Sequence, residues 1–341
     1  MMPFDLRELT VPVLVAPMAG GPSTPELAAA GSAAGGLGFV AAGYLTADMF
    51  AEKLSAAMTL TREPVGANLF VPQPSAAMPD EIAAYARALA PEAQRYGVAV
   101  GEPKFDDDDW AAKIEVLLDL RPAVVSFTFG LPSAEERRRL TGAGITTVGT
   151  VTTVAEARAA ADVGVDVLTV QGPSAGGHRG TFDATARPSD IALDDLIARV
   201  TAAVGLPVVA AGGIMDAADI RRVRDAGAVA AQLGTAFLLA DEAGSTPVHR
   251  AALQSSQFTE TVVNRAFSGR YARGLRNRFI IEHESQAPFG YPEVHYLTSP
   301  LRKASANAGD PGAVNIWAGT GFRRARTGSV ADIVGSLVGD G

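Results

Sequence analysis

The segment Gln171-Gly172-Pro173-Ser174-Ala175-Gly176-Gly177-His178-Arg179-Gly180 sets one titratable imidazole among glycines, directly after the apolar run 165–170. Glycine lets backbone amides approach an anion closely, and a histidine in the same loop can hold or move a proton. Taken alone, Gly-Gly-His is also the sequence of an ordinary turn, so its meaning rests on what the fold brings to it. Two further glycine turns end apolar runs: Gly212-Gly213 after Ala210-Ala211, and Gly234-Thr235 after Gln232-Leu233. Such turns donate amides to a phosphate without needing a lysine. Asn68 and Gln171 each end an apolar run with a neutral amide, which serves either the edge of a heterocycle or nearby loop backbone.

The elements that must position these residues follow from hydrophobic periodicity. Short β-branched runs at 12–16, 37–41, 65–69, 123–127, 145–150, 165–170, 207–211 and 229–233 alternate with alanine-rich segments of helical period. Eight strands, each followed by helix or loop, predict an α/β fold of the (β/α)8 TIM barrel type rather than an open doubly wound sheet. Thr24-Pro25-Glu26 reads as a helix start, Thr153 with Glu156 as a capping box, and Gly164 and Gly227 as helix ends. Working groups of such a barrel lie on the loops after the strands. That rule gathers Ala16-Pro17-Met18, Asn68, the loop 171–180, Gly212-Gly213 and 232–235 on one surface. Loops after the seventh and eighth strands often bind phosphate, so a phosphorylated, ring-bearing cofactor is expected, flavin mononucleotide (FMN) being the natural choice. Ala16-Pro17-Met18-Ala19-Gly20-Gly21 lacks the Gly-x-Gly-x-x-Gly of a nicotinamide site and suits a flat apolar wall.

Two segments depart from the repeat. The runs 79–96 and 107–120 both have helical character between the third and fourth strands, which marks an insertion. Asp106-Asp107-Asp108-Asp109 stands where a helix should begin, favouring dipole compensation and solvation over a metal site. We expect a barrel over 1–245 and an extension over 246–341 that covers the barrel mouth. In the extension Phe267, Arg270, Tyr271, Arg273, Arg276 and Tyr291 either line a pocket or pack the cover, and His249, His283 and His295 lie scattered.

Composition narrows the class further. A chain of 341 residues that is 48% hydrophobic buries a sizeable core, and its formal net charge of -8 argues against nucleic acid. There is no cysteine, hence no disulfide, thiolate nucleophile or iron–sulfur site. No clustered metal-ligand spacing and no Gly-x-Ser-x-Gly elbow occur, so no metal is expected and His178 is the default acid or base. The start Met1-Met2-Pro3-Phe4-Asp5-Leu6-Arg7 lacks a leader pattern and no run suits a membrane span, so a cytoplasmic enzyme without membrane contact is expected. A homo-oligomer is compatible with all of this.

These residues resemble the flavin-dependent nitronate monooxygenases, formerly 2-nitropropane dioxygenases. The resemblance is carried by 16–21, Gly66-Ala67-Asn68-Leu69-Phe70, the loop ending Ala175-Gly176-Gly177-His178-Arg179-Gly180, Ala211-Gly212-Gly213-Ile214, Gln232-Leu233-Gly234-Thr235 and the tail 315–321. It implies noncovalent FMN and oxidation of alkyl nitronates, and of nitroalkanes by extension, with dioxygen to carbonyl compounds and nitrite. It further implies that Met18 lies against the flavin and that Asn68 and Gln171 bond its polar edge. Gly176, Gly213, Gln232, Gly234 and Thr235 would hold the phosphate, Gly319 would approach the flavin, and His178 would face the substrate. Relatives commonly carry glutamate where this chain has Ser174, a loss that bears on the geometry of the loop. Two rival readings are an FMN-dependent enoyl-acyl-carrier-protein reductase, which resembles the same loop but takes electrons from a nicotinamide, and a non-catalytic barrel that binds a phosphate ligand.

Overall fold

The computed structural model describes residues 4–339, so Met1, Met2 and Pro3 of the segment read for a leader lie outside the described residues. Six parallel strands come first: β1 (Val13–Val15), β2 (Leu37–Ala41), β3 (Val65–Phe70), β4 (Val124–Thr128), β5 (Thr146–Val151) and β6 (Val167–Gln171). A two-residue strand β7 (Gly177–His178) lies outside the barrel, and β8 (Val208–Ala211) and β9 (Ala230–Leu233) complete it. The sheet closes where Leu14 of β1 meets Gln232 of β9. These are the eight runs read from the sequence, with their ends shifted by at most two residues. The strands read as unbroken apolar runs because a barrel strand is covered on both faces; all five residues of β2 are buried.

Local signals in the helices also hold. Thr24 Oγ1 accepts from Leu27 N at 2.9 Å, and Thr153 and Glu156 form the reciprocal capping box. Gly164 ends its helix in the left-handed region at φ 85°, where a side chain would be strained.

The insertion is smaller than its helical content suggests. Helix Trp110–Leu120 packs on β3 and on helix Ala47–Leu60, so it belongs to the barrel's own ring. Helices Pro79–Ala88 and Ala90–Tyr96 instead pack on helix Glu293–Asn307 of the extension. The acidic run precedes Trp110 as expected, with Asp107 and Asp109 exposed to solvent, and its carboxylates also bind neighbouring segments. Asp109 accepts from Ala47 N at 3.0 Å, Asp108 from Tyr44 N at 2.8 Å, and Asp108 also pairs with the buried Lys113 at 2.8 Å. Burial, resisted by Lys113, pushes the Asp108 carboxyl up to about 6.

Beyond residue 245 the chain does two things. A hairpin of β10 (Thr261–Asn264) and β11 (Ala272–Leu275) extends through β7 into a three-stranded antiparallel sheet over the barrel mouth. Helix Val330–Val338 then returns between helices Pro25–Ala33 and Ala217–Asp225 and adds Val330, Ile333, Val334 and Leu337 to the main core. The eighth strand's helix therefore comes after the cover, so the segment after 245 is shared between cover and ring. Among the described residues no helix is long and apolar enough to cross a membrane.

Candidate active site

A cavity of about 300 Å³ opens at the C-terminal ends of the barrel strands, between their loops and the extension. It is lined by every residue singled out above for catalysis or cofactor contact: Ala16, Pro17 and Met18 on one wall, Asn68 and Gln171 at strand ends, and Gly212, Gly213, Gln232, Leu233, Gly234 and Thr235 around one end. Gly176, Gly177, His178 and Gly319 complete that set from the loop and the tail. No carboxylate and no lysine is among the lining residues.

The histidine loop is fixed from three sides. His178 pairs with Ala272 across the β7–β11 ladder. Gln171 spends its amide within the loop, donating to His178 O at 3.0 Å and accepting from Gly180 N at 2.8 Å, so it lines the cavity as a brace rather than with a free amide. Arg179, buried, donates to Gly172 O at 2.6 Å, and Arg273 donates to Pro173 O at 3.1 Å from behind. Asn68 likewise spends its Nδ2 on Ser126 and Thr128. The third side is the tail. A Cβ on Gly176 would lie 2.4 Å from the backbone of Ala318 and Gly319, and one on Gly319 would lie 2.6 Å from Ser174 O. Thr320 N donates to that same Ser174 oxygen at 3.1 Å, and Gly319 N donates to Thr235 Oγ1 at 2.9 Å. Ser174 thus serves the tail through its carbonyl.

The imidazole of His178 sits among Phe129, Tyr291 and Trp317, with ring centroids 5.8, 5.6 and 5.5 Å away. Burial, with Arg270 and Arg302 nearby, pulls its pKa down to about 3, so the ring is neutral at any ordinary pH. Nε2 lies 2.9 Å from Ser268 Oγ, which is itself 3.2 Å from Arg270 O. With the hydroxyl donating to that carbonyl, Nε2 carries the proton and Nδ1 is left as a base; Nδ1 has no protein partner among the described residues. With the hydroxyl turned to Nε2, Nδ1 becomes a donor toward an anion. One serine rotation thus chooses between base and donor.

The extension contributes residues that the spacing did not single out. His249 bonds Trp317 O at 3.1 Å, and burial, partly offset by that carbonyl, lowers its pKa to about 4. His295 stacks on Tyr44 at 4.1 Å with an interplanar angle of 5°, and Arg302 completes that wall. A signal existed: His295, Thr298 and Arg302 fall three and four residues apart, on one face of helix Glu293–Asn307. Of the six aromatic and basic residues weighed earlier, Phe267 lines the cavity, Arg270 and Tyr291 line a smaller void beside it, and exposed Arg276 pairs with Glu260. Tyr44 and Phe129, on the wall shared by the two voids, hold left-handed backbone at φ 67° and 78°, a strain typical of functional sites.

The sequence profile of the nitronate monooxygenase family matches residues 5–340. A probable nitronate monooxygenase of Staphylococcus haemolyticus is 36% identical over 335 residues, covering 96% of this chain and 93% of the relative. Its counterpart in Staphylococcus aureus strain MSSA476 is 36% identical over 344 residues, covering 98% and 95%. Among solved structures, nitroalkane oxidase from Streptomyces ansochromogenes matches with a TM-score of 0.92 and 48% identity over 96% of this chain and 95% of that one. FabK from Thermotoga maritima, 24% identical with a TM-score of 0.74 over 98% of this chain and 93% of its own, shares the fold.

Proposed function

The chain belongs to the nitronate monooxygenase family, and we propose that it oxidises alkyl nitronates, and nitroalkanes more slowly, with dioxygen to a carbonyl compound and nitrite, using noncovalent FMN. The observation that carries the reading is a neutral histidine on the wall of a cavity free of carboxylates. Such a lining accepts both a phosphate and an anionic substrate, which acidic groups would repel.

The cavity fits FMN on its own chemistry. Thr169 Oγ1, on β6 and lining the cavity, is buried without a hydrogen-bond partner, a cost that a polar ligand edge would remove. Gly176, Gly213, Gln232, Gly234 and Thr235 would hold the phosphate, with Met18 against the ring. When bound, FMN supplies the acceptor for the substrate's electrons and passes them to dioxygen.

The chain's own residues bind, orient and move a proton. The ring of Phe129, Tyr291 and Trp317 around His178 keeps water from the reacting carbon. Toward a nitroalkane, Nδ1 of His178 takes the α-proton while Ser268 holds the Nε2 proton in place. Toward a nitronate no proton need move, and the other tautomer donates from Nδ1 to an oxygen. A nitronate, already an anion, spares the enzyme this proton transfer, which makes it the faster substrate.

Purified protein should be yellow and release FMN on denaturation. In His178→Asn, with FMN retained, nitroalkane turnover should fall by about 10²–10⁴-fold, the usual worth of a general base. Unimpaired use of both substrates by that variant would overturn the role of His178. Rapid anaerobic bleaching of the flavin by NADH or NADPH, rather than by a nitronate, would favour the reductase instead.

A further inference from the structure

Arg302 is the one cationic side chain on the cavity wall, and it is partnered only by neutral groups. It donates to Thr298 Oγ1 at 3.1 Å, to Asn315 Oδ1 at 3.3 Å, and to His295 O and Nδ1 at 2.8 and 3.3 Å. Among the described residues no carboxylate forms an ion pair with it. Burial lowers its pKa to about 10, which still leaves it cationic, and the groups that oppose this fall are the hydroxyls of Tyr44 and Tyr291. Fully buried Arg179 and Arg270 differ, since both feel distant carboxylates, including Glu156. The histidines beside it, His178 and His295, are both held neutral. A cavity whose wall carries one arginine and no carboxylate, in a chain of net charge -8, is built to receive an anion.

We propose that Arg302 is the counter-charge of the substrate and makes this cavity select the nitronate anion over the neutral nitroalkane. The inference rests on the oxidase reading above and assigns its substrate preference to one side chain. Arg302 also positions a second donor. By donating to His295 Nδ1 it leaves the ring proton on Nε2, so His295 presents an N–H without carrying charge. Arg302 and His295 together match an anion whose charge is spread over two oxygens.

The test uses the FMN-loaded enzyme and nitrate, a planar anion of similar shape, with binding read by calorimetry in chloride-free buffer. Asn315→Asp places the missing carboxylate beside Arg302 without removing the guanidinium, and Arg302→Met removes the charge while keeping the length. Both should weaken nitrate binding and lower kcat/KM for a nitronate by about tenfold to a hundredfold, the range for a lost charge-assisted hydrogen bond. For the matching nitroalkane the loss should be smaller by about tenfold, so that the preference for the nitronate falls. Arg302→Lys, which keeps charge but loses the fork, should restore nitrate binding to within about threefold, which a purely structural arginine would not allow. Equal loss for both substrates, unchanged nitrate affinity in Asn315→Asp, or loss of FMN with nitrate binding intact would each overturn the proposal. If the unmodified enzyme oxidises neither nitro compound, the oxidase reading fails, and the nitrate series still decides the role of Arg302.

Discussion

Replacing Gly176 by alanine tests whether the site depends on the contact between the histidine loop and the tail. The new methyl group would lie 2.4 Å from the Ala318 carbonyl carbon and from Gly319 N, and ordinary contact begins near 3.4 Å. The obstacle is backbone on both counts, so no side chain can swing aside, and tail and loop must part by about 1 Å. That separation breaks the Thr320 N to Ser174 O bond and strains the Gly319 N to Thr235 Oγ1 bond. Two hydrogen bonds at roughly 1 kcal/mol each, with overpacking of roughly 1–3 kcal/mol, give a loss of about 3–5 kcal/mol. At about 2.1 cal/mol/K of unfolding entropy per residue, a chain of 341 residues shifts by about 1.4 °C per kcal/mol, so Tm should fall by about 4–7 °C. The same seam bounds the proposed phosphate end, so the FMN-to-protein ratio after gel filtration should fall too. Gly319→Ala opens the seam from the other side, at 2.6 Å from Ser174 O, and should give the same phenotype, with the double variant little worse than either. Gly205→Ala, where nothing lies within 4 Å of the new atom, is the control and should be neutral. Wild-type Tm and full FMN retention in Gly176→Ala would refute the argument.

Two further outcomes follow from buried charge. His178 and His249 are held neutral with pKa values of about 3 and 4 in the fold, below the ordinary 6.5, so their contribution to stability is whole above pH 6.5 and is lost as pH falls toward 4 and below. Tm should therefore be flat from pH 8 to 7 and decline below about pH 6 in calorimetric scans, and His249→Gln should remove part of the decline, worth roughly 3 kcal/mol at the acid limit. Glu92, buried in helix Ala90–Tyr96, is gripped by both terminal nitrogens of Arg278, one of them at 2.9 Å from Oε2; burial pushes its pKa up, but this grip outweighs burial and holds it low. Glu282 and His283 lie close by, yet Arg278 already fills the place of a cation there. Glu92→Gln should cost about 2–4 kcal/mol, read as a lower urea midpoint, because it leaves Arg278 with only the exposed Glu282 as a carboxylate partner; an unchanged midpoint would remove that pair from the stability of the fold.

The barrel was legible in the sequence because its signals are local. Each strand is a short apolar run, many helix starts carry their own cap, and several glycines mark the ends where the chain turns back. From that order alone, the loop of His178 could be set beside Met18, Gly213 and Gly234. What was not legible is non-local. Strand β7 is two residues long and exists only because β11, some ninety residues away in the chain, pairs with it. Neither glycine nor histidine announces a strand, and no spacing connects the two segments. The same holds for Ser268, whose hydroxyl sets the tautomer of His178 from a turn in the extension. Gln171 shows a different limit: its type and place suited a cofactor edge equally well, and only coordinates reveal that both ends of its amide close the loop. The buried arginines were ambiguous for a related reason, since a charge that faces a cavity and one that braces a loop look alike in a string of letters.

The helix Val330–Val338, which fills the ring after β9, follows the whole cover in chain order. During synthesis the cover therefore emerges while the barrel still lacks one side. The cover folds as a loop tethered at both ends to the barrel, anchored behind by β9 and ahead by a helix that buries four apolar side chains in the core. A domain appended to a finished barrel can be lost or exchanged with little cost to the rest. This cover instead has two covalent joins to the barrel, one before it at β9 and one after it at helix Val330–Val338. The arrangement ties the surface that carries His295 and Arg302 to the barrel at both of its chain ends.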